Sequence, residues 1–142
     1  MAALLKRLEF KQRYPDIRQG LFITLNEKRM PKGQDELNLG KALSDALCQI
    51  PEESRPEMVV QTISKLISPY QAVTLTHLEI LFTPTFHLDV VGIILSQCRN
   101  RKLCITWPGT MLDGKLFYTT PECPEYYECN LQALQDTYVI TD

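Results

Sequence analysis

Apolar positions recur along the chain with two different periods. In "ALLKRLEFKQR" (3–13), Leu4, Leu5, Leu8 and Lys11 share one side at helical spacing, and "YPD" stops the pattern. "LFITL" (21–25) is a short apolar run of strand composition, and "NEKRMPKGQDE" (26–36) is a loop broken by Pro31 and Gly33. "ELNLGKALSDALCQI" (36–50) sets Leu39, Leu43, Ala46, Leu47 and Ile50 at three-to-four spacing, which predicts an amphipathic helix ended by Pro51. "SRPEMVVQTISKLI" (54–67) predicts another, with Ser54 and Glu57 as a capping box and Pro56 in its first turn.

Strand and helix then alternate. "AVTLT" (72–76) reads as a strand and "HLEILF" (77–82) continues apolar up to Pro84. "LDVVGIILSQC" (88–98) reads as a helix capped by Thr85, and "KLCITW" (102–107), "KLFYTT" (115–120) and "TYVITD" (137–142) as strands. The order strand, helices, strand, helix, strand, hairpin, strand predicts an α/β fold with a parallel core. At 142 residues and 44% apolar composition, one domain is expected. No apolar stretch reaches the roughly 18 residues needed to span a bilayer, and the N-terminus has no signal-peptide core. A cytoplasmic protein without membrane contact is expected.

The net charge of −2 conceals an asymmetry. Residues 1–32 hold eight Lys/Arg against three Asp/Glu, and residues 33–142 hold seven against fourteen. A basic segment of this kind suits the acidic body, an acidic partner or nucleic acid. Of the five cysteines, Cys48, Cys98 and Cys104 fall on apolar faces and read as buried. Cys123 and Cys129 lack a nearby His, and His77 and His87 are too far apart for a helical metal pair. No metal and no cofactor is expected.

"GTMLDGKL" (109–116) has the Gly-x-x-x-x-Gly-Lys spacing of a phosphate-binding loop. Such a loop must open a helix, and its Lys precedes a Ser/Thr that binds magnesium. Here Leu116 follows Lys115, and "LFYTT" is a strand. Asp113-Gly114 instead suits a two-residue hairpin turn, whose central positions need positive φ. Gly33 with Gly40-Lys41-Ala42 fails as well, because the glycines are too far apart and Ala replaces Ser/Thr.

The stretch "VTLTHLEILFTPTFHLDVVGIILSQCRNRKLCITWPGTMLDGKLFYTTPECPEYYE", with "LNLGKALSDALCQIPEESRPEMVVQTISKLI" before it, resembles the BrxF family, P-loop-containing proteins of type 3 BREX phage-defence systems. The resemblance covers about residues 37–140. It implies a small three-layer P-loop NTPase-like domain over residues 1–142, with a mostly parallel sheet and a C-terminal β-hairpin. Residues 1–20 would be an N-terminal docking helix. The family's Walker A loop has no counterpart in "GLFITLNEKRMPKGQDE", and its Walker B Asp falls at Thr76, with Glu79 retained. Without both magnesium-binding features, phosphoryl transfer loses its main electrostatic term.

The resemblance therefore implies a non-hydrolysing subunit of a BREX-like defence complex, contacting other subunits, an ATPase among them, and able to self-assemble. Thr76, Glu79, Thr106 and Trp107 are candidates for a vestigial nucleotide site. Lys28, Arg29, Arg99, Asn100 and Arg101 are candidates for contact with a partner or with phosphate. For Arg99 and Arg101 the alternative is a helix C-terminus, where cations complement the dipole and Asn100 caps. For Trp107 it is packing under the hairpin, and for Tyr126 and Tyr127 an interaction rim stands beside a core edge. Two further functions stay open: a DNA-binding accessory module using the basic segment with Arg99 and Arg101, and a nucleotide-binding ATPase with an unconventional site.

Overall fold

The structure is a computed structural model and describes residues 2–141, apart from the side chain of Glu27. The apolar run at 21–25 becomes β2 (Gly20–Thr24), in which every residue is buried. Beside it lie β4 (Ala72–Thr76), β5 (Lys102–Thr106) and β9 (Thr137–Thr141). Near-continuous apolar strands suit a parallel sheet covered on both faces. With β1 (Ala3–Lys6) and β3 (Glu36–Asn38) they form a six-stranded sheet of order β1-β9-β2-β5-β4-β3. Every pairing in it is parallel. A second, three-stranded antiparallel sheet holds β6 (Thr110–Leu112), β7 (Lys115–Tyr118) and β8 (Tyr127–Asn130). The architecture is mixed α/β with a parallel main sheet, as the alternation predicts.

Side chains alternate across the sheet. Leu21, Ile23, Val73, Leu75, Leu103, Ile105 and Val139 point to one face. They form the main core with α2 (Leu39–Leu47), α3 (Arg55–Ile67) and α4 (Val90–Ser96). Leu5, Phe22, Cys104 and Ile140 point to the other, where Phe10 of α1 (Arg7–Arg13) packs on them with Tyr14 and Tyr138. This back face also carries a polar network. The Tyr14 hydroxyl donates to Gln34 Oε1, and Gln34 Nε2 donates to Thr74 Oγ1 at 3.2 Å. Lys102 Nζ lies 3.8 Å above the Tyr14 ring and donates to the Tyr14 carbonyl at 3.1 Å.

Several boundaries differ from the sequence reading, each for a local reason. The first four residues of the expected 3–13 helix are β1, because β9 offers them a parallel edge. Leu5 is then 1% exposed while Leu4 and Leu8 are 65% and 68% exposed, so the three leucines share no face. Helix α2 starts at Leu39 because residues 36–38 pair with β4, and Asn38 Oδ1 accepts the Lys41 N–H. Ser54 forms no side-chain cap: a 3-10 turn at Glu52–Ser54 leaves its backbone already helical. Arg55 Nε instead donates to the Leu47 and Ile50 carbonyls at 2.9 and 3.0 Å and ties α2 to α3. Asp89, not Thr85, caps α4. Residues 78–82 are a 3-10 turn. Cys48 is exposed, whereas Cys98 and Cys104 are buried. Asp113 and Gly114 have φ of 52° and 75° with Leu112 opposite Lys115, the two-residue hairpin turn expected there.

Candidate functional site at the C-terminal edge of the sheet

In an all-parallel sheet every strand ends at one edge. Ligands bind there where neighbouring strands send their connections in opposite directions. β2 and β5 are such neighbours: the chain leaves β2 towards β3 and leaves β5 towards β9. At this point the Trp107 N–H donates to the Thr24 carbonyl at 2.8 Å. The fully buried Thr24 hydroxyl accepts the Asn26 N–H at 3.1 Å, and Asn26 Oδ1 accepts the Lys28 N–H at 3.1 Å. Only a 3-10 turn, Glu27–Arg29, follows. The chain after β2 closes on itself and opens no helix, so it presents no array of free N–H groups of the kind that holds phosphates.

One strand along, β4 and β5 end in a cleft of about 180 Å³ lined by Thr76, His77, Glu79, Thr106 and Pro108. Three of the four vestigial-site candidates therefore meet. Thr76 Oγ1 is hydrogen-bonded to His77 Nδ1 at 2.9 Å. His77 has a φ of 58°, a left-handed backbone uncommon in L-residues, and it opens the 78–82 turn. The N-terminus of α2 presses on that bend: a Cβ at Gly40 would stand 2.4 Å from the His77 carbonyl oxygen. The cleft is below the roughly 300 Å³ of ordinary small-molecule pockets. Its lining contains a carboxylate and no Lys or Arg.

Trp107 is not in this cleft. It is 2% exposed, and its Nε1 donates to the Phe117 carbonyl at 3.0 Å. Its ring meets Phe82 edge-on at 5.6 Å, and Phe82 stacks on Tyr118 at 3.9 Å. The aromatic cluster bolts the small sheet onto the main one. Tyr127 belongs to the same cluster. Its hydroxyl donates to Asp89 Oδ1 at 2.5 Å and accepts the Val91 N–H at 3.1 Å. Burial, and then the Asp89 hydrogen bond, hold its proton well above the usual tyrosine range. Tyr126 faces outward more and donates to Glu128 Oε2, while Lys115 pairs with Glu128 at 2.9 Å.

The cationic candidates separate into two places. Arg99, Asn100 and Arg101 precede β5, whose first residue pairs with the first residue of β2. They lie at the N-terminal edge, and Lys28 and Arg29, after β2, at the C-terminal one. Five strand residues, about 15 Å, stand between. Arg101 Nε donates to the Tyr70 carbonyl at 2.7 Å and Nη1 to the Gln97 carbonyl at 2.9 Å, binding the ends of α3 and α4. Asn100 takes the left-handed bend with φ 55°, and its N–H meets Gln19 Oε1. Arg99 is exposed beside a hollow shared with Gln19 and Asp136. Lys28 and Arg29 face Arg7 and Lys11 of α1. Sequence reading did not pair these residues, because the parallel placement of β1 and β2 on either side of β9 brings them together. The charge excess of residues 1–32 was the available signal.

Among the described residues, no group of three His, Cys, Asp or Glu is placed to hold a metal ion, and no helix is long and apolar enough to cross a membrane. No family model matches the chain, and no curated protein or solved structure matches it either.

Proposed function

We propose that the chain is a P-loop-like domain that does not hydrolyse nucleotide. It works through protein–protein contacts as a subunit of a BREX-like antiphage complex, with an ATPase subunit among its partners. The turn after β2 carries this reading. β2 ends at the switch point of the sheet, where a phosphate loop would sit, and the Thr24 and Asn26 side chains close that turn on its own backbone. The neighbouring cleft supports it too: Thr76 stands where the resemblance puts a magnesium-binding Asp, and its hydroxyl is engaged by His77. The defence assignment rests on the sequence resemblance alone.

Thermal melting with Mg-ATP, Mg-GTP and their slowly hydrolysed analogues tests the first half. A ligand at a hundred times its Kd adds about 2.7 kcal/mol, which is several degrees for a domain of this size. No shift at millimolar nucleotide is expected. A shift of several degrees would overturn the reading in favour of an unconventional nucleotide site. Co-expression with the ATPase of a BREX cassette tests the second half. A stoichiometric complex is expected by gel filtration, and separate elution of the two proteins would remove the subunit assignment.

A further inference from the structure

A cleft of about 220 Å³ opens between α1 and the loop after β2, at the C-terminal edge of the sheet. Arg7 and Lys11 stand one helical turn apart on one side, with Lys28, Arg29 and Lys32 on the other. Among the described residues, no acidic one lines it. Among the described residues, Arg7, Lys11, Lys28 and Lys32 form no ion pair. Glu9, on the same helix, is turned to Arg13 at 3.9 Å and to the Lys6 N–H at 3.4 Å. Residues 33–142 carry the chain's acidic excess, yet among the described residues none of these four cations is in an ion pair with it. Like charges along one cleft oppose one another, and an anion between them reduces that cost.

We propose that this cleft binds the phosphate backbone of a nucleic acid without reading its bases. A single phosphate, at about −2, cannot match Arg7, Lys11, Lys28 and Lys32 together, whereas a chain of phosphates passing between the two rows can engage both. The floor supports contact with phosphates alone. Phe10 is 3% exposed and packs on Tyr14 and Phe22 with ring centroids 5.1 and 5.8 Å away, so no ring is free to stack a base. The space is also smaller than a nucleoside pocket requires. An acidic protein is the weaker occupant, since protein partners draw affinity from buried aromatic anchors and the cleft offers none. The inference shares the loop after β2 with the subunit reading but rests on its exposed cations and not on the closed Thr24–Asn26 turn, so either can fail without the other.

The test is fluorescence anisotropy of labelled 20-mer duplex and single-stranded DNA across 50–200 mM salt. With four or five phosphate contacts, log K is expected to fall against log salt with a slope of about −4 for duplex and about −3 for single strands. The double variant Lys11→Gln/Lys28→Gln is expected to bind about tenfold or more weakly at 100 mM salt, with the duplex slope reduced to about −2. Its melting temperature should hold, since both side chains are exposed. Arg99→Gln, at the opposite edge, should bind as the unaltered protein does. No binding at 50 mM salt, a double variant equal to the unaltered protein, or equal loss from Arg99→Gln would each overturn the proposal. Polyglutamate competing as well as DNA at equal charge would assign the cleft to an acidic protein instead.

Discussion

Gly40 precedes Lys41 in a Gly-Lys pair that invites a phosphate reading, and its surroundings give it another task. An added Cβ would stand 2.4 Å from the His77 carbonyl oxygen, a backbone atom that cannot swing away. Gly40→Ala is therefore expected to lower stability by about 1–3 kcal/mol in urea unfolding, through the strain of overpacking. Gly33→Ala, where nothing lies within 4 Å, should cost only the strain of its positive φ. No loss on Gly40→Ala would contradict the packing argument. Buried acids give a second expectation. Burial pushes the Cys98 thiol up from 9.0 to about 12, and burial also raises Cys104, Tyr14 and Tyr127. In each case the folded chain keeps a proton that the unfolded chain releases. Stability is then complete below about pH 9 and falls as pH rises, by about 1.4 kcal/mol per unit for each group in its window. Urea midpoints should drop steadily from pH 9 to 11, more steeply above 10 as the tyrosines join. Cys98→Ala should flatten the first part of that decline, and a midpoint constant to pH 11 would refute the assignment.

At the scale of the element, the N-terminal segment separates two periods that its sequence does not. Adjacent leucines at 4 and 5 with a third at 8 fit a helix face, and pairing with β9 decides otherwise. As a strand, Leu5 enters the back core and Leu4 faces solvent. Leu5→Ala is expected to cost about 2–4 kcal/mol and Leu4→Ala close to nothing. A helical face would make the two substitutions comparable, so denaturation of the pair distinguishes the elements. The same contrast shows what was legible. The long apolar strands and the α2 and α3 helices could be read because burial on both faces, or on one face at 3.6 spacing, writes itself into composition. The Asp113-Gly114 turn could be read because its backbone demands those residues. β3 and β8 were hidden: "ELN" and "YECN" carry no strand pattern of their own and exist through the neighbours they pair with. The caps of α3 and α4 misled for local reasons: the turn before α3 leaves Ser54 already helical, and Asp89, one residue before α4, accepts the Gly92 N–H.

For the whole molecule, the site was half legible. Thr76, Glu79 and Thr106 do meet, because parallel strands deliver their last residues to one edge. Trp107 left that group for the seam between the two sheets, and the basic cleft joined Arg7 and Lys11 to Lys28, Arg29 and Lys32 across an intervening strand. These placements make any phosphate binding a question about the edge and not about any one residue. Thr76→Asp would supply an acid of the kind a P-loop enzyme uses to hold magnesium, beside the carboxylate of Glu79. The triphosphate would still lack its cradle. The turn after β2 closes through Thr24 and Asn26, and the first turn of α2 spends the Lys41 N–H on Asn38. Lys28, Arg29 and Lys32 lie beyond β2, about two strands or 10 Å from the cleft, and Lys41 Nζ is turned along α2 to Asp45 at 3.9 Å. Thr76→Asp is therefore expected to show no ATP turnover above background and no melting shift with Mg-ATP. Loss of the Thr76–His77 bond and a second carboxylate near Glu79 should lower its stability by about 1 kcal/mol at neutral pH. Turnover in this variant would mean that the cleft of β4 and β5 does admit a triphosphate, and that the chain lacks hydrolysis for want of a single carboxylate.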